Sequence, residues 1–325
     1  MQLIDLHCDT LGKLLRCDRE QAEHVDIKEN DFCISIPGMQ RAGTLAQFFA
    51  CFTYLPFAKG GYEECYEDAL AMIRILKEQC GRYQKELAAA CSYEDIRKNE
   101  AAGRISAVLT VEEGGIINGK MERLRELYQK GVRLLTPIWN FDNCFGYPNS
   151  RDERVMKRGL TPFGKEAAAY AGELGMILDV SHASDGSFWD ILDCAEGPVI
   201  ASHSNCRALC DHPRNLTDEM IRRLSEAGGI AGLNFYGTFL SGGKESRLDA
   251  MTAHIKHMIQ IGGSGFPAVG TDFDGFDGME YEDIPKAENM ERLWDALKRA
   301  GIRESQLEGI WRKNAERVLK RLPSS

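Results

Sequence analysis

Eight short apolar or β-branched runs recur along the chain: "LIDLHCD", "TLAQFFACF", "ISAVLTVEE", "VRLLTPIWN", "GMILDVSH", "PVIASHS", "GIAGLNF" and "PAVGTDFDG". Longer segments of helical period lie between them, among them "YEDALAMIRILKEQC", "MERLRELYQKG", "PFGKEAAAYAGELG", "TDEMIRRLSEAGG" and "MTAHIKHMIQIGG". Several of these open on Thr before Pro or an acid and stop at Gly, as end-capping favours. Strands that alternate with helices pair in parallel, and eight such units close into a (β/α)8 TIM barrel rather than an open sheet. A barrel needs about 250 residues, and the chain has 325. The pattern predicts one catalytic barrel domain over residues 1–325. The surplus falls in the loops after strands 1 and 4 and in a C-terminal helix over 304–321.

In such a barrel all strands open their C-terminal ends onto one mouth. Strand 1 ends in His7 and Asp9, strand 3 in Glu112 and Glu113, strand 5 in His182, strand 6 in His203, and strand 8 in Asp272 and Asp274. Residues i and i+2 of a strand face the same side, so His7 and Asp9 point together. Imidazoles combined with carboxylates suit Zn²⁺. A single catalytic zinc needs only three protein ligands, so this set is too rich for one ion. It fits two metals about 3.5–4 Å apart that share a carboxylate and a bridging hydroxide.

Charge and composition narrow the partners. A net charge of -9 argues against nucleic acid or an anionic membrane surface. No apolar run approaches the ~18 residues of a membrane span, and the N-terminus lacks a basic region followed by an apolar one. The eleven cysteines contain no CxxC pair and read as reduced thiols. A cytoplasmic protein without membrane or nucleic-acid partners is expected, as a monomer or a homodimer.

The motifs together resemble the membrane (renal) dipeptidase family of binuclear zinc peptidases, within the metal-dependent amidohydrolase-like barrels. The resemblance runs over nearly the whole chain: "DLHCDT", "VEEGG" followed by "LRELYQKGVRLLT", "LDVSH", "SHSN" then "HPRN", "GLNFY" and "VGTDFDG". It is closest to the bacterial branch. It implies that His7 and Asp9 bind a first zinc, that His182 and His203 bind a second, and that Glu112 bridges them. Glu112 is preferred to Glu113 because it keeps an ungapped spacing to "LRELY". Asp272 would sit at the first zinc and carry the proton, and Arg214 of "HPRN" would hold the substrate carboxylate. Animal members carry a His at the end of strand 4 that steadies the oxyanion; here Trp139 stands there, in the Trp-Asn version of bacterial relatives. Asn140 and Asn143 are the candidates to replace that contact, with Trp139 and Asn140 facing the substrate.

The implied reaction is zinc-dependent hydrolysis of a dipeptide. A metal-bridging hydroxide attacks the scissile carbonyl, and Asp272 passes the proton to the leaving amine. Two alternatives stay open: a related amidohydrolase acting on N-acyl amino acids or lactams, and a metal-binding barrel without turnover. Other residues have plainer readings. Glu113 and Asp274 read as supporting or capping groups, Cys8 as a small hydrophobe, and His254 and His257 as part of a solvated helix face. His24 and His212 read equally as pocket or hydrated loop residues. Cys206 and Cys210 only faintly suggest a pair. The acidic stretch 274–288 reads as a solvated loop over the pocket, without the spacing of a calcium loop.

Overall fold

The structure, a computed structural model, describes residues 2–22 and 25–323. His24 lies outside the described residues. Eight strands form the barrel: β1 (Leu3–Cys8), β2 (Thr44–Phe52), β3 (Ile105–Glu112), β4 (Val132–Thr136), β5 (Ile177–Asp179), β6 (Val199–Ile200), β7 (Ala231–Leu233) and β8 (Pro267–Val269). Each sequence run contains one of them. All neighbours pair in parallel from β1 through to β6, and β8 joins β1 to β7. Between β6 and β7 the ring closes through a single bridge, Ala201 to Ala231, with Gly232 N–H donating to the Ala201 carbonyl at 2.8 Å. That seam requires glycine: a Cβ on Gly232 or Gly270 would overlap the Ser202 carbonyl oxygen.

β3 shows the barrel's division of labour. Ile105, Ala107, Leu109 and Val111 pack outward in the strand–helix core, whereas Val108 belongs to the inner cluster and Glu112 follows on its side. The helical segments start where their caps allow. Thr161 accepts from Gly164 N–H ahead of the helix Pro162–Leu174, and Thr217 from Met220 N–H ahead of Asp218–Glu226. Gly175 closes the first of these with φ of 89°. The C-terminal segment is broken by a π-turn, running Glu304–Glu308, Gly309–Lys313 and Asn314–Leu319. Its residues Ala315, Val318 and Leu319 join Ile4, Leu45 and Ile230 in the inner cluster. Asn314 donates to the Pro267 carbonyl at 2.8 Å at the start of β8, so this segment plugs the end opposite the mouth.

Three short strands among the described residues go beyond the eight-strand pattern. A short strand Leu87–Ala89 pairs with β3. Tyr281–Glu282 and Glu245–Ser246 form a two-residue parallel sheet that ties the loop after β8 to the loop after β7. Long connections do follow strands 1 and 4, at 9–43 and 137–161, but the longest runs from 53 to 104 after β2, where the sequence pattern predicts no surplus.

Candidate metal centre

The parallel strands bring the polar ends together. Glu112 is the last residue of β3; His182, His203 and Asp272 each follow their strand by three residues. Asp272 is carried to His7 by continued pairing of β8 with β1, its N–H donating to the His7 carbonyl at 3.3 Å and Asp9 N–H to the Phe273 carbonyl at 2.9 Å. Asp272 has φ of 61°, a left-handed turn that aims its carboxylate back into the mouth. A side chain on Gly275 would run into the Asp272 and Asp9 carboxylates, so the turn needs that glycine.

Three overlapping groups result: His7, Asp9 and Glu112; Glu112, His182 and His203; and His7, His203 and Asp272. Glu112 is common to the first two. Its Oε2 lies 3.3 Å from His7 Nε2, while Oε1 lies 2.9 Å from His182 Nε2 and 3.6 Å from His203 Nε2. His7 Nε2 is 3.3 Å from Asp9 Oδ2 and 3.9 Å from Asp272 Oδ1. All six side chains predicted from the sequence to bind metal therefore meet in one place.

The outer nitrogens decide what the inner ones can do. His182 Nδ1 lies 2.9 Å from Asn140 Oδ1, an amide oxygen that also accepts from Asn149 Nδ2 at 3.1 Å, so Nδ1 carries the hydrogen. His203 Nδ1 lies 2.7 Å from Ser202 Oγ, whose own hydrogen goes to Asp179 Oδ2 at 2.6 Å. Both Nε2 atoms are then left as acceptors, 2.9 Å apart and facing each other and Glu112. Lone pairs at that distance repel, and a cation among them removes the conflict. The donor set fits a metal.

The electrostatics agree. Burial, followed by the positive charges of Arg214 and His7, drives His182 well below the usual imidazole range. Burial with His7 and Arg214 does the same to His203. Burial also pulls on His7, but the Glu112 and Asp9 carboxylates outweigh it and raise it well above that range. Glu112 and Asp272 are both pushed up, first by burial and then by neighbouring carboxylates including Asp9.

The centre opens into a cavity of about 630 Å³ lined by Asp9, Glu112, Asp272, Arg214, Trp139 and Asn140, among others. Arg214 is 4% exposed, and no carboxylate of the described residues forms an ion pair with it. Its Nη2 rests 3.1 Å from His182 Nε2, its Nε has no partner among the described residues, and its guanidinium lies over Phe239 at 5.1 Å. Burial lowers it to about 10, so it stays a cation at neutral pH. Trp139 stands in an aromatic wall with Phe52 at 4.8 Å and Tyr54 at 5.2 Å, its ring 5.8 Å from His182.

The remaining candidates separate cleanly. Glu113, with φ of 79°, turns away from the centre. It accepts from Gly115 N–H, Asn143 Nδ2 and Trp139 N–H, which makes it the brace of the loop carrying Trp139. Asn143 is thereby committed to Glu113 and the Pro137 carbonyl. Asp274 accepts from Thr10 Oγ1 and Cys33 N–H and pairs with Lys13 at 3.0 Å. Cys8 is fully buried in the core, and His212 stacks on Phe239 at 4.7 Å beside Arg214. The solvated face expected for His254 is a misreading. His254 is 1% exposed, accepts from Cys206 N–H and donates to the Leu240 carbonyl, because it shares the buried stripe of Met251, Ile255 and Met258. His257 is half-buried and pairs with Asp218 at 2.7 Å. Among the described residues no helix is long and apolar enough to cross a membrane.

A family model described as "Membrane dipeptidase (Peptidase family M19)" matches residues 1–324. An uncharacterised Klebsiella pneumoniae protein is 33% identical over 76% of this chain and 93% of its own length. An uncharacterised dipeptidase of Schizosaccharomyces pombe is 30% identical over 87% of this chain and 70% of its own. Among solved structures, a Rhodobacter sphaeroides metallopeptidase, liganded with a phosphinate mimic of the dipeptide L-Ala-D-Ala, superposes with a TM-score of 0.90 at 24% identity. That match covers 99% of both chains. A dipeptidase described as a metallopeptidase of family M19 superposes with a TM-score of 0.90 at 25% identity, over 99% of this chain and 98% of its own.

Proposed function

We infer what this chain does from the fact that it belongs to the membrane dipeptidase family, peptidase family M19. It is a metal-dependent dipeptidase on a (β/α)8 barrel. The finer reading is that two zinc ions share Glu112, one with His7, Asp9 and Asp272 and the other with His182 and His203. One observation carries it: the two oxygens of Glu112 face different imidazoles, Oε2 toward His7 at 3.3 Å and Oε1 toward His182 at 2.9 Å. Metal analysis of active protein tests it, and a single zinc per active chain contradicts it. All eleven cysteines are free, which supports a reducing, cytoplasmic setting.

The metal pair, when bound, supplies an activated water and polarises the scissile carbonyl. The chain's residues do the rest. Asp272, held by Asn234 Nδ2 at 2.9 Å, accepts the proton of the attacking water and returns it to the leaving amine. Arg214 is a buried cation that lacks an ion-pair partner among the described residues, the setting a substrate carboxylate completes. The dipeptide mimic bound by the Rhodobacter relative supports a dipeptide here too.

A carboxylate clamp makes a specific prediction. A guanidinium meets a carboxylate through a pair of charged hydrogen bonds, and losing a hydrogen bond to a charged group costs about 1.5–3 kcal/mol. Arg214→Ala should therefore lower kcat/KM for a free dipeptide roughly 10- to 150-fold, and barely change the already slow hydrolysis of the matching dipeptide amide. Equal losses on both substrates would show that Arg214 only braces its loop. The wall of Phe52, Tyr54 and Trp139 favours one second reading, an N-acyl amino acid whose acyl group lies on that wall. Turnover of N-acyl amino acids above that of every dipeptide in a matched panel would establish it.

Metal uptake should also depend on pH. Burial pushes Glu112 and Asp272 upward and the charged Glu112 and Asp9 carboxylates push His7 upward, so the cluster as a whole favours bound protons that a cation must displace. Protons compete, so zinc affinity should fall as pH drops from about 8 to about 6, with protons released on binding. Calorimetry in two buffers of different ionisation enthalpy measures that release; an identical heat in both contradicts it.

A further inference from the structure

Asp179 has no place in the metal set, yet it is 1% exposed and collects five hydrogen bonds. Its Oδ1 accepts from Ser181 N–H at 3.0 Å, Ser181 Oγ at 2.6 Å and Ser202 N–H at 2.8 Å. Its Oδ2 accepts from Thr136 Oγ1 at 2.8 Å and Ser202 Oγ at 2.6 Å. A carboxylate in this position only accepts, so the single hydrogen of the Ser202 hydroxyl must point at Asp179. Ser202 Oγ then has only lone pairs for His203 Nδ1, 2.7 Å away. Ser181 cannot supply that hydrogen instead. Its own proton is spent on Asp179, and its oxygen accepts from His203 N–H at 3.0 Å.

We propose that Asp179, acting through Ser202, is a positioning residue that fixes His203 as its Nδ1–H tautomer and aims the Nε2 lone pair at the metal beside Glu112. This rests on the metal reading above, but the tautomer itself does not. The relay crosses three strands: Thr136 ends β4, Asp179 ends β5, and Ser202 lies just beyond β6, where Asp179 is paired with Ile200. His182 is held differently, by the neutral amide of Asn140. For His7, Nδ1 is buried without a partner among the described residues. The three imidazoles are thus not equivalent, and only His203 leans on a carboxylate. Such an outer partner raises the basicity of a metal-binding imidazole and typically changes metal affinity about 10- to 100-fold.

Imidazole ¹⁵N NMR of the metal-free, full-length wild type reads the tautomer directly, and His203 should appear as Nδ1–H. An Nε2–H form in wild type overturns the proposal without any variant. Ser202→Ala breaks the relay while leaving Thr136 and Ser181 on Asp179, and chelator competition should show one zinc weakened about 10- to 100-fold with the other unchanged. Asp179→Asn is the sharper test. An amide nitrogen facing Ser202 would reverse the relay, so that the hydroxyl donates to His203 Nδ1 and pushes its hydrogen to Nε2. The NMR signature should switch tautomer, and the affinity loss should be at least that of Ser202→Ala. A lower melting temperature in both variants, with wild-type zinc affinity and an unchanged tautomer, would reduce Asp179 to a brace between strands. Wild type that binds fewer than two zinc ions yet shows the Nδ1–H form would refute the two-metal reading and leave the relay standing.

Discussion

Glu112→Gln should leave a folded protein that hydrolyses no dipeptide at stoichiometric zinc. The side chain is 3% exposed and each oxygen faces its own imidazole group, so one substitution removes a ligand from both halves of the centre. The amide keeps the shape but replaces one anionic oxygen by an N–H donor directed at imidazole nitrogens or a cation. Both zinc affinities should fall by more than the ~10–100-fold seen when a residue merely touching a ligand is lost. Emission analysis after gel filtration measures the metal, and a dipeptide assay measures turnover. Glu113→Gln is the matched control, because Glu113 turns away to Asn143 and Trp139 and should leave both ions in place. Retention of two zinc ions by Glu112→Gln would remove Glu112 from the bridging role.

Asp272→Asn should cost turnover roughly the 10²–10⁴ typical of a general acid–base group, with both metals retained at saturating zinc. In this site the substitution is not quietly isosteric. Asp272 Oδ2 accepts from Asn234 Nδ2 at 2.9 Å while Oδ1 faces His7 Nε2 at 3.9 Å. The new amide must give its oxygen to Asn234, which turns its nitrogen toward the metal. Some loss of zinc affinity should therefore accompany the loss of the proton carrier. Titrating zinc separates the two effects. A turnover deficit that vanishes at high zinc would make Asp272 a ligand only and move the proton elsewhere.

The barrel and the gathering of polar strand ends at one mouth were legible from local pattern, whereas the choice of Glu112 over Glu113 and of Asp272 over Asp274 follows from the family resemblance. His7, Glu112, His182, His203 and Asp272 each close an apolar run, and a parallel barrel sends all such ends to one face. The groups that orient them were less legible. Ser202 and Asp179 meet only through the register of β5 against β6, and no spacing along the chain reveals a register. A faint signal existed in the twin Ser-His pairs, Ser181-His182 and Ser202-His203, with Asp179 two residues before the first. The sequence points to Asn140 as a substrate contact. It does line the cavity, but its oxygen is engaged by His182 and Asn149. His254 looks solvated by its polarity, but its spacing from Met251, Ile255 and Met258 places it on the buried helical face.

The closure of β8 on β1 has a consequence for biosynthesis. Asp5 and Thr271, hydrogen-bonded at 2.7 Å across that join, are 266 residues apart in the chain. Among the barrel strands, the one that leads into His7 and Asp9 is thus the first to be made and among the last to gain both its neighbours. Until β8 is made, β1 keeps an unpaired edge that invites mispairing. No nascent fragment short of Asp272 contains the complete ligand set. A metal held by all six residues is therefore taken up only after residue 272 has been made, and a truncation before residue 267, which leaves β1 without its second neighbour, should aggregate rather than give a smaller enzyme.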